Sequence, residues 1–153
     1  MIAALAMAGA VAAASPDAAP PAAAPPPTAA PPAAAGPIGL WRTPEDGGST
    51  VRITDCGGAI CGRLVTSRRL KDNPDQRDVL NKDPNLRTRQ VRDLLVLTSK
   101  PIGPNRWGGG WAYDPTAGKT YTGSVELKNP GVLLLTGCVA VVFCRTETWE
   151  RAE

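Results

Sequence analysis

Short runs in which apolar and polar residues alternate dominate the chain from residue 39 onward. The clearest example is residues 51–65, where two such runs flank a connection that contains Gly57 and Gly58. Alternation over short runs that glycine interrupts is typical of a β-hairpin. A cysteine stands at the end of each run, and facing Cβ atoms of paired strands lie about 4.5–5.5 Å apart. We therefore predict a hairpin that a Cys56–Cys61 disulfide closes.

The later apolar stretches extend the same pattern. In residues 121–128 the side chains of Tyr121, Val125 and Leu127 share one face, as in a half-buried antiparallel strand. Seven or eight short strands joined by tight turns predict an all-β fold, a single small antiparallel up-and-down β-barrel, because closure removes exposed edges. A barrel of about eight strands is filled by side chains or holds one small ligand. The other predicted strands and hairpins are residues 94–98, which Pro101 ends, 132–137 and 138–150.

One stretch departs from this pattern. Residues 67–93 carry eight of the 17 basic residues and little periodicity, which predicts one long charged loop. Asp83 followed by Pro84 is a typical helix start, so we expect a short helix near residues 84–89. A loop of this length in a compact domain is usually a lid, a binding loop or a mobile segment. Its aspartates lack the spacing of a calcium loop and are interpreted as solvated charge: Asp72, Asp75, Asp78 and Asp83.

The first residues have a different composition. Residues 1–14 are apolar and small, and they end in an Ala-x-Ala-like site, which predicts a signal-peptide-like segment. The usual positive start is missing, since the first basic residue is Arg42, and the run is too short to span a bilayer. Residues 15–36 are almost entirely Ala and Pro, and we expect a disordered, extended spacer there. The predicted domain is residues 37–153.

Four cysteines behind an export signal indicate an oxidising compartment and two disulfides. Among the connectivities, we favour Cys56–Cys61 and Cys138–Cys144, because each pair lies within one local hairpin. A zinc site built from all four cysteines is the rival interpretation, although the spacings are wider than in most zinc knuckles. We expect an exported protein, either periplasmic or secreted, with no stable membrane span in the mature chain.

The charge and the missing residue types limit the chemistry. All 17 basic residues and 13 of the 14 acidic residues fall within the predicted domain, a formal charge of +4 that does not call for nucleic acid. Histidine is absent, and with it the commonest general base and metal ligand. Neither a Gly-x-Ser-x-Gly motif nor a phosphate loop occurs. We therefore expect a protein that is not an enzyme, with no catalytic residues, no metal site and no cofactor. The less favoured alternative is an enzyme in which Glu147 and Glu150 work with distant aspartates.

Five blocks, in order, resemble the bacterial DUF2147 family: GLW at 39–41, CGGAICG at 56–62, NKDPNLRTR at 81–89, GGWAYDP at 109–115 with GKTY at 118–121, and RTETW at 145–149. The resemblance covers residues 39–151 and implies export and a lipocalin-like, calycin-type barrel. It implies that Trp41 plugs one barrel end, with a late arginine, Arg145 or Arg151, stacked on it. The family is a domain of unknown function, so the resemblance implies no activity.

A binding module for a small apolar or amphipathic ligand in the cell envelope is the function we favour, because aromatic and polar groups line small-ligand pockets. The competing interpretation is that the aromatic residues only fill a small barrel. The candidate ligand-binding residues are Trp111, Tyr113, Tyr121, Arg145, Glu147 and Trp149.

Alternation along the final strand places Trp149 on the inward face together with Arg145 and Glu147. Buried charges need partners, so we expect these two to meet each other or a tyrosine hydroxyl. The opposite register would leave both charges outside. The alternative function is an envelope interaction domain on a Pro-rich spacer, in which residues 67–93 contact a protein or an anionic surface polymer.

Overall fold

The computed structural model describes residues 36–44, 48–140 and 142–152 of the chain. The predicted signal-peptide-like segment, residues 1–14, and the Ala/Pro spacer up to residue 35 lie outside these residues. Gly36, the last residue assigned to the spacer, is described.

The fold is a closed barrel of eight strands in which every strand pairs antiparallel with its neighbours in sequence. The last strand returns to the first, where Trp41 lies opposite Arg151. This arrangement confirms the predicted up-and-down antiparallel barrel. The strands are β1 Gly39–Arg42, β2 Thr50–Asp55, β3 Ile60–Thr66, β4 Leu95–Gly103, β5 Arg106–Asp114, β6 Lys119–Asn129, β7 Val132–Val139 and β8 Phe143–Arg151.

Alternation along the strands builds the core. In β6, Val125 and Leu127 are buried, and they lie opposite Leu135 and Leu133 of β7. Because successive side chains point to opposite faces of a strand, one face of each strand supplies the barrel interior. Each such side chain contributes about 1.5–3 kcal/mol when it is fully buried.

Both predicted disulfides are present. Cys56–Cys61 closes the β2–β3 hairpin, and Cys138–Cys144 joins directly opposed residues of β7 and β8. The β2–β3 connection turns through Gly57 and Gly58, which have φ values of 83° and 84°, a region that favours glycine. The zinc interpretation is therefore wrong, because the thiolates that would bind the metal are joined to one another.

The predicted end of the fourth strand is also wrong. β4 does not end before Pro101 but continues through it to Gly103. The pairing of β4 with β5 shifts register on either side of Pro101. Such irregularities let a strand contain a residue that has no backbone donor.

Residues 67–93 pack onto the barrel. They contain a helix, α1 (Arg68–Asp72), which the sequence did not predict, and a 3₁₀ turn at Pro84–Leu86, shorter than the predicted helix. The Asp83 carboxylate caps that turn by accepting a hydrogen bond from the Asn85 backbone N–H at 2.9 Å, as its spacing predicted. Leu70 and Val91 are buried in the barrel core. The segment therefore contributes buried side chains to the core of the barrel.

None of the helices in the described part of the chain has the length and apolar character needed to cross a bilayer.

Candidate ligand site in the barrel

The two ends of the barrel differ, and the closed end is the one at which β1 begins. Trp41 is fully buried there, and its indole N–H donates to the Pro37 carbonyl at 2.7 Å. The Arg151 guanidinium lies 4.3 Å from the centre of the Trp41 ring. It also donates to the Ile38 and Gly36 carbonyls at 3.0 and 2.6 Å. Of the two arginines considered from the sequence, Arg151 therefore stacks on the plug.

A cavity of about 510 Å³ occupies the interior and opens at the opposite end, which we call the mouth. This volume falls within the roughly 300–1,000 Å³ typical of small-molecule sites. Its deeper wall is apolar because the inward faces of the strands supply it. The apolar lining residues are Val51, Leu64, Val91, Val96, Ala112, Leu135 and Trp149.

The mouth is polar. α1 brings Arg68, Arg69 and Asp72 to it, and the β5–β6 turn brings Asp114 and Thr116. α1 is held there by its cap, since Ser67 Oγ accepts a hydrogen bond from the Leu70 backbone N–H at 3.2 Å and Leu70 is buried. An apolar chamber thus ends in a charged opening.

The inward-facing side chains of strand β8 become more buried and less polar from the mouth toward the interior. Arg145, nearest the mouth, is exposed, Glu147 is half-buried, and Trp149 is 4% exposed. All three line the cavity, so the face predicted to point inward does so. The expected burial of Arg145 is wrong, because the inward face of a strand meets solvent where the barrel opens. Trp149 Nε1 donates to Glu147 Oε2 at 3.4 Å.

The remaining candidates divide between two places. Tyr121 lines the cavity opposite Ala112, and Tyr113 borders it. Trp111 does not reach the cavity, because its neighbour Ala112 takes the inward position on β5. Trp111 instead lines a shallow outer groove together with Lys82 and Leu86. The structure therefore brings together five of the six candidates and leaves Trp111 outside.

A buried polar cluster beside the mouth joins residues 67–93 to β5. The Tyr113 hydroxyl donates to Asp78 Oδ1 at 2.6 Å, and Asn81 Nδ2 donates to Asp78 Oδ2 at 2.8 Å. The Arg89 guanidinium also pairs with Asp78 Oδ2, at 2.8 Å. Asp78 is 0% exposed, so its interpretation as solvated loop charge is wrong. Asn81 is a near neighbour in sequence, but Arg89 and especially Tyr113 come from farther along the chain.

Tyr113 titrates unusually in this setting. Burial raises its pKa to about 12, and the hydrogen bond and charge of Asp78 act in the same direction. The hydroxyl therefore stays protonated and remains a donor to Asp78 over the ordinary pH range. We conclude that Tyr113 mainly anchors the segment that carries α1.

Sequence reasoning missed the cavity residues of α1 and its neighbour Gln76. Gln76 lines the cavity, and its Oε1 atom is buried without a hydrogen-bond partner among the described residues. The usable signal was Ser67, a preferred helix N-cap residue, directly before Arg68 and Arg69. For Asp78 and Asn81, no local pattern indicated burial.

Across the described residues, no three His, Cys, Asp or Glu side chains come close enough to hold a metal ion. The apolar interior favours a hydrocarbon group, and the mouth presents guanidinium, carboxylate and amide groups to a polar one.

The chain is similar to known proteins in its fold and in its sequence family. Its fold resembles that of a solved structure described as "Protein HP1028 from the human pathogen Helicobacter pylori belongs to the lipocalin family". The TM-score is 0.67 at 24% identity, with 76% of this chain and 82% of that chain covered. No curated protein matches. The model of the family described as "Uncharacterized protein conserved in bacteria (DUF2147)" matches residues 39–151, and the chain belongs to this family.

Proposed function

We propose that the protein binds a small amphipathic molecule, whose apolar part enters the barrel and whose polar part stays at the mouth. The observation that carries the proposal is the cavity of about 510 Å³ with apolar walls and a charged opening. Transfer of hydrocarbon into such a chamber is favoured by about 25 cal/mol per Å² of apolar surface removed from water. The protein acts without catalysis.

The polar side chains at the mouth would bind the head group of the ligand. Arg68, Arg69 and Arg145 suit an anionic head group such as a carboxylate, because guanidinium binds carboxylates through paired hydrogen bonds. Gln76 Oε1 is an acceptor for a donor on the ligand. Glu147, placed deeper, disfavours a carboxylate at its own level. We therefore expect the head group to lie above Glu147.

Export belongs to the same proposal. Two disulfides are typical of proteins that leave the cytosol, and the apolar residues 1–14 have the composition of an export signal. We place the protein in the cell envelope or outside the cell. A carrier of poorly soluble molecules has a use there.

Titration with 11-(dansylamino)undecanoic acid tests the proposal, since dansyl fluorescence rises in an apolar site. We expect saturable binding by the purified chain. Leu135→Trp narrows the cavity and should weaken binding at least tenfold. Leu134→Trp is the matched control, because Leu134 is next to Leu135 on β7, does not line the cavity and should leave binding unchanged. Equal binding by all three proteins would contradict a cavity site.

The alternative is an interaction domain that uses residues 67–93 to contact an envelope protein or an anionic polymer. Most of this segment's basic side chains are exposed, which favours it. Three are already occupied, however: Arg77 donates to the Thr88 carbonyl, Arg87 to the Asn81 carbonyl, and Arg89 to Asp78. We rank this function second. Salt-sensitive retention on envelope fractions by the Leu135→Trp variant would support it over the cavity.

A further inference from the structure

The hairpin between β7 and β8 ends in apolar side chains that face solvent. Val139 is 50% exposed, and Val142 and Phe143 are each 77% exposed. We call these three residues the apolar tip. No charged residue occurs between Gly131 and Cys144. Exposed apolar groups concentrated at one turn are unusual on a soluble protein and mark interaction sites.

The apolar tip stands at the mouth of the cavity. Gly137 and Arg145, paired across β7 and β8, both line the cavity, and the next pair outward is Cys138–Cys144. The disulfide therefore joins the two strands at the base of the tip. Whatever the apolar tip touches lies directly beside the opening.

Positive charge lies at the same end. The helix α1 carries Arg68, Arg69 and Lys71 against a single acid, Asp72. Among the described residues, two other acidic side chains line the cavity, and neither is an exposed charge at the rim of the mouth. Asp114 accepts hydrogen bonds from Thr116, and Glu147 lies inside the cavity. Apolar side chains at the same end of the barrel as basic ones suit a surface with acyl chains beneath anionic head groups.

We propose that the apolar tip inserts into an anionic lipid surface and sets the mouth of the barrel against it, with α1 facing the head groups. A lipid surface fits better than a second protein copy, because three side chains on a narrow turn offer far less than the roughly 800 Å² per partner of a stable protein interface. The proposed function gives docking a purpose, since an amphipathic ligand then passes between membrane and cavity.

Sedimentation with vesicles tests the proposal on the full chain. We expect binding to phosphatidylglycerol/phosphatidylethanolamine vesicles, which weakens as salt rises, and at least tenfold weaker binding to phosphatidylcholine vesicles. The double variant Val142→Ser/Phe143→Ser should lower the partition coefficient about tenfold or more, because it removes the inserted apolar groups. Ile102→Ser is the matched control, since Ile102 is 61% exposed but lies near the β4–β5 turn, at the closed end.

A second measurement locates the contact. Brominated lipid in the vesicles should quench the fluorescence of the indole introduced by Phe143→Trp. It should not quench the fluorescence of the indole introduced by Ile102→Trp. Equal partitioning of the wild type and the Val142→Ser/Phe143→Ser variant would overturn the proposal. So would a wild-type dimer that becomes monomeric in that variant while neither binds vesicles, which would assign the apolar tip to self-association. Vesicle binding does not require an occupied cavity, so this proposal and the proposed function fail separately.

Discussion

The closed end and the mouth of the barrel are built from the same eight strands but differ in what is left exposed. At the closed end, the indole N–H of Trp41 and the guanidinium of Arg151 donate to backbone carbonyls, and the ring is buried beneath the cation. At the mouth, arginines line an opening and Phe143 faces solvent. Polar satisfaction and apolar burial at one end favour stability. At the mouth, by contrast, the arginines of α1 and the apolar tip remain exposed around the opening, in keeping with the ligand site that we propose.

The largest effect should come from the closed end. Trp41→Ala should lower the free energy of unfolding by about 3–5 kcal/mol, because it leaves a cavity under Arg151 and removes a buried aromatic ring. Urea denaturation followed by circular dichroism measures it. Phe143→Ala, an aromatic truncation at the mouth, is the control and should change stability by less than about 0.5 kcal/mol. Similar losses of unfolding free energy for the two variants would contradict the proposed difference in stability between the two ends.

The polar cluster is the part of the mouth that should behave like the closed end. Asp78→Ala removes the acceptor of Tyr113, Asn81 and Arg89, and should cost about 2–4 kcal/mol, because buried donors are left unpaired. Asp75→Ala, in the same segment but exposed, should cost less than about 0.5 kcal/mol. Equal, small losses would mean that the cluster does not hold the segment.

Alkaline titration isolates Tyr113 within that cluster. An unfolded tyrosine ionises near pH 10, whereas the pKa of Tyr113 in the folded chain is about 12. Ionisation therefore favours the unfolded chain between these values, and stability should be unaffected below pH 10 and fall as pH rises toward 12. Tyr113→Phe lacks this loss, which is on the order of 2 kcal/mol. Parallel stability curves for the two proteins above pH 10 would contradict the raised pKa.

The sequence predicted the barrel well, because its evidence is local. Alternation in residues 121–128 and the paired cysteines each report on a hairpin, and eight hairpin-related strands leave few topologies. The effect of Pro101 was predicted wrongly because the local sequence was the only evidence. Whether a strand can contain proline depends on register shifts in its pairing with the neighbouring strand, which the local sequence does not show. α1 was missed because five residues carry too little periodicity to stand out.

The site was harder to predict, because it depends on contacts between residues distant in sequence. Asp78 looked like any loop aspartate, and its burial depends in part on Tyr113, 35 residues later, which donates to its carboxylate together with Asn81 and Arg89. Likewise, strand alternation correctly predicted that Trp149 faces inward, but it could not predict how far the residue lies from the mouth along the barrel axis. Depth decides whether an inward residue is buried, as Trp149 is, or lies in the mouth.

Arg145 is where that error has a measurable consequence. Had its charge been buried with Glu147, Arg145→Ala would cost about 3–5 kcal/mol. Its exposed position at the mouth leads us to expect a loss below about 1 kcal/mol in urea denaturation, as for surface charges. Affinity for 11-(dansylamino)undecanoic acid should nevertheless fall several-fold, since the variant removes a cation beside the proposed head-group position. The uncharged probe N-phenyl-1-naphthylamine should bind wild type and variant alike. A stability loss of several kcal/mol, or equal loss of affinity for both probes, would show that Arg145 supports the barrel and not the ligand.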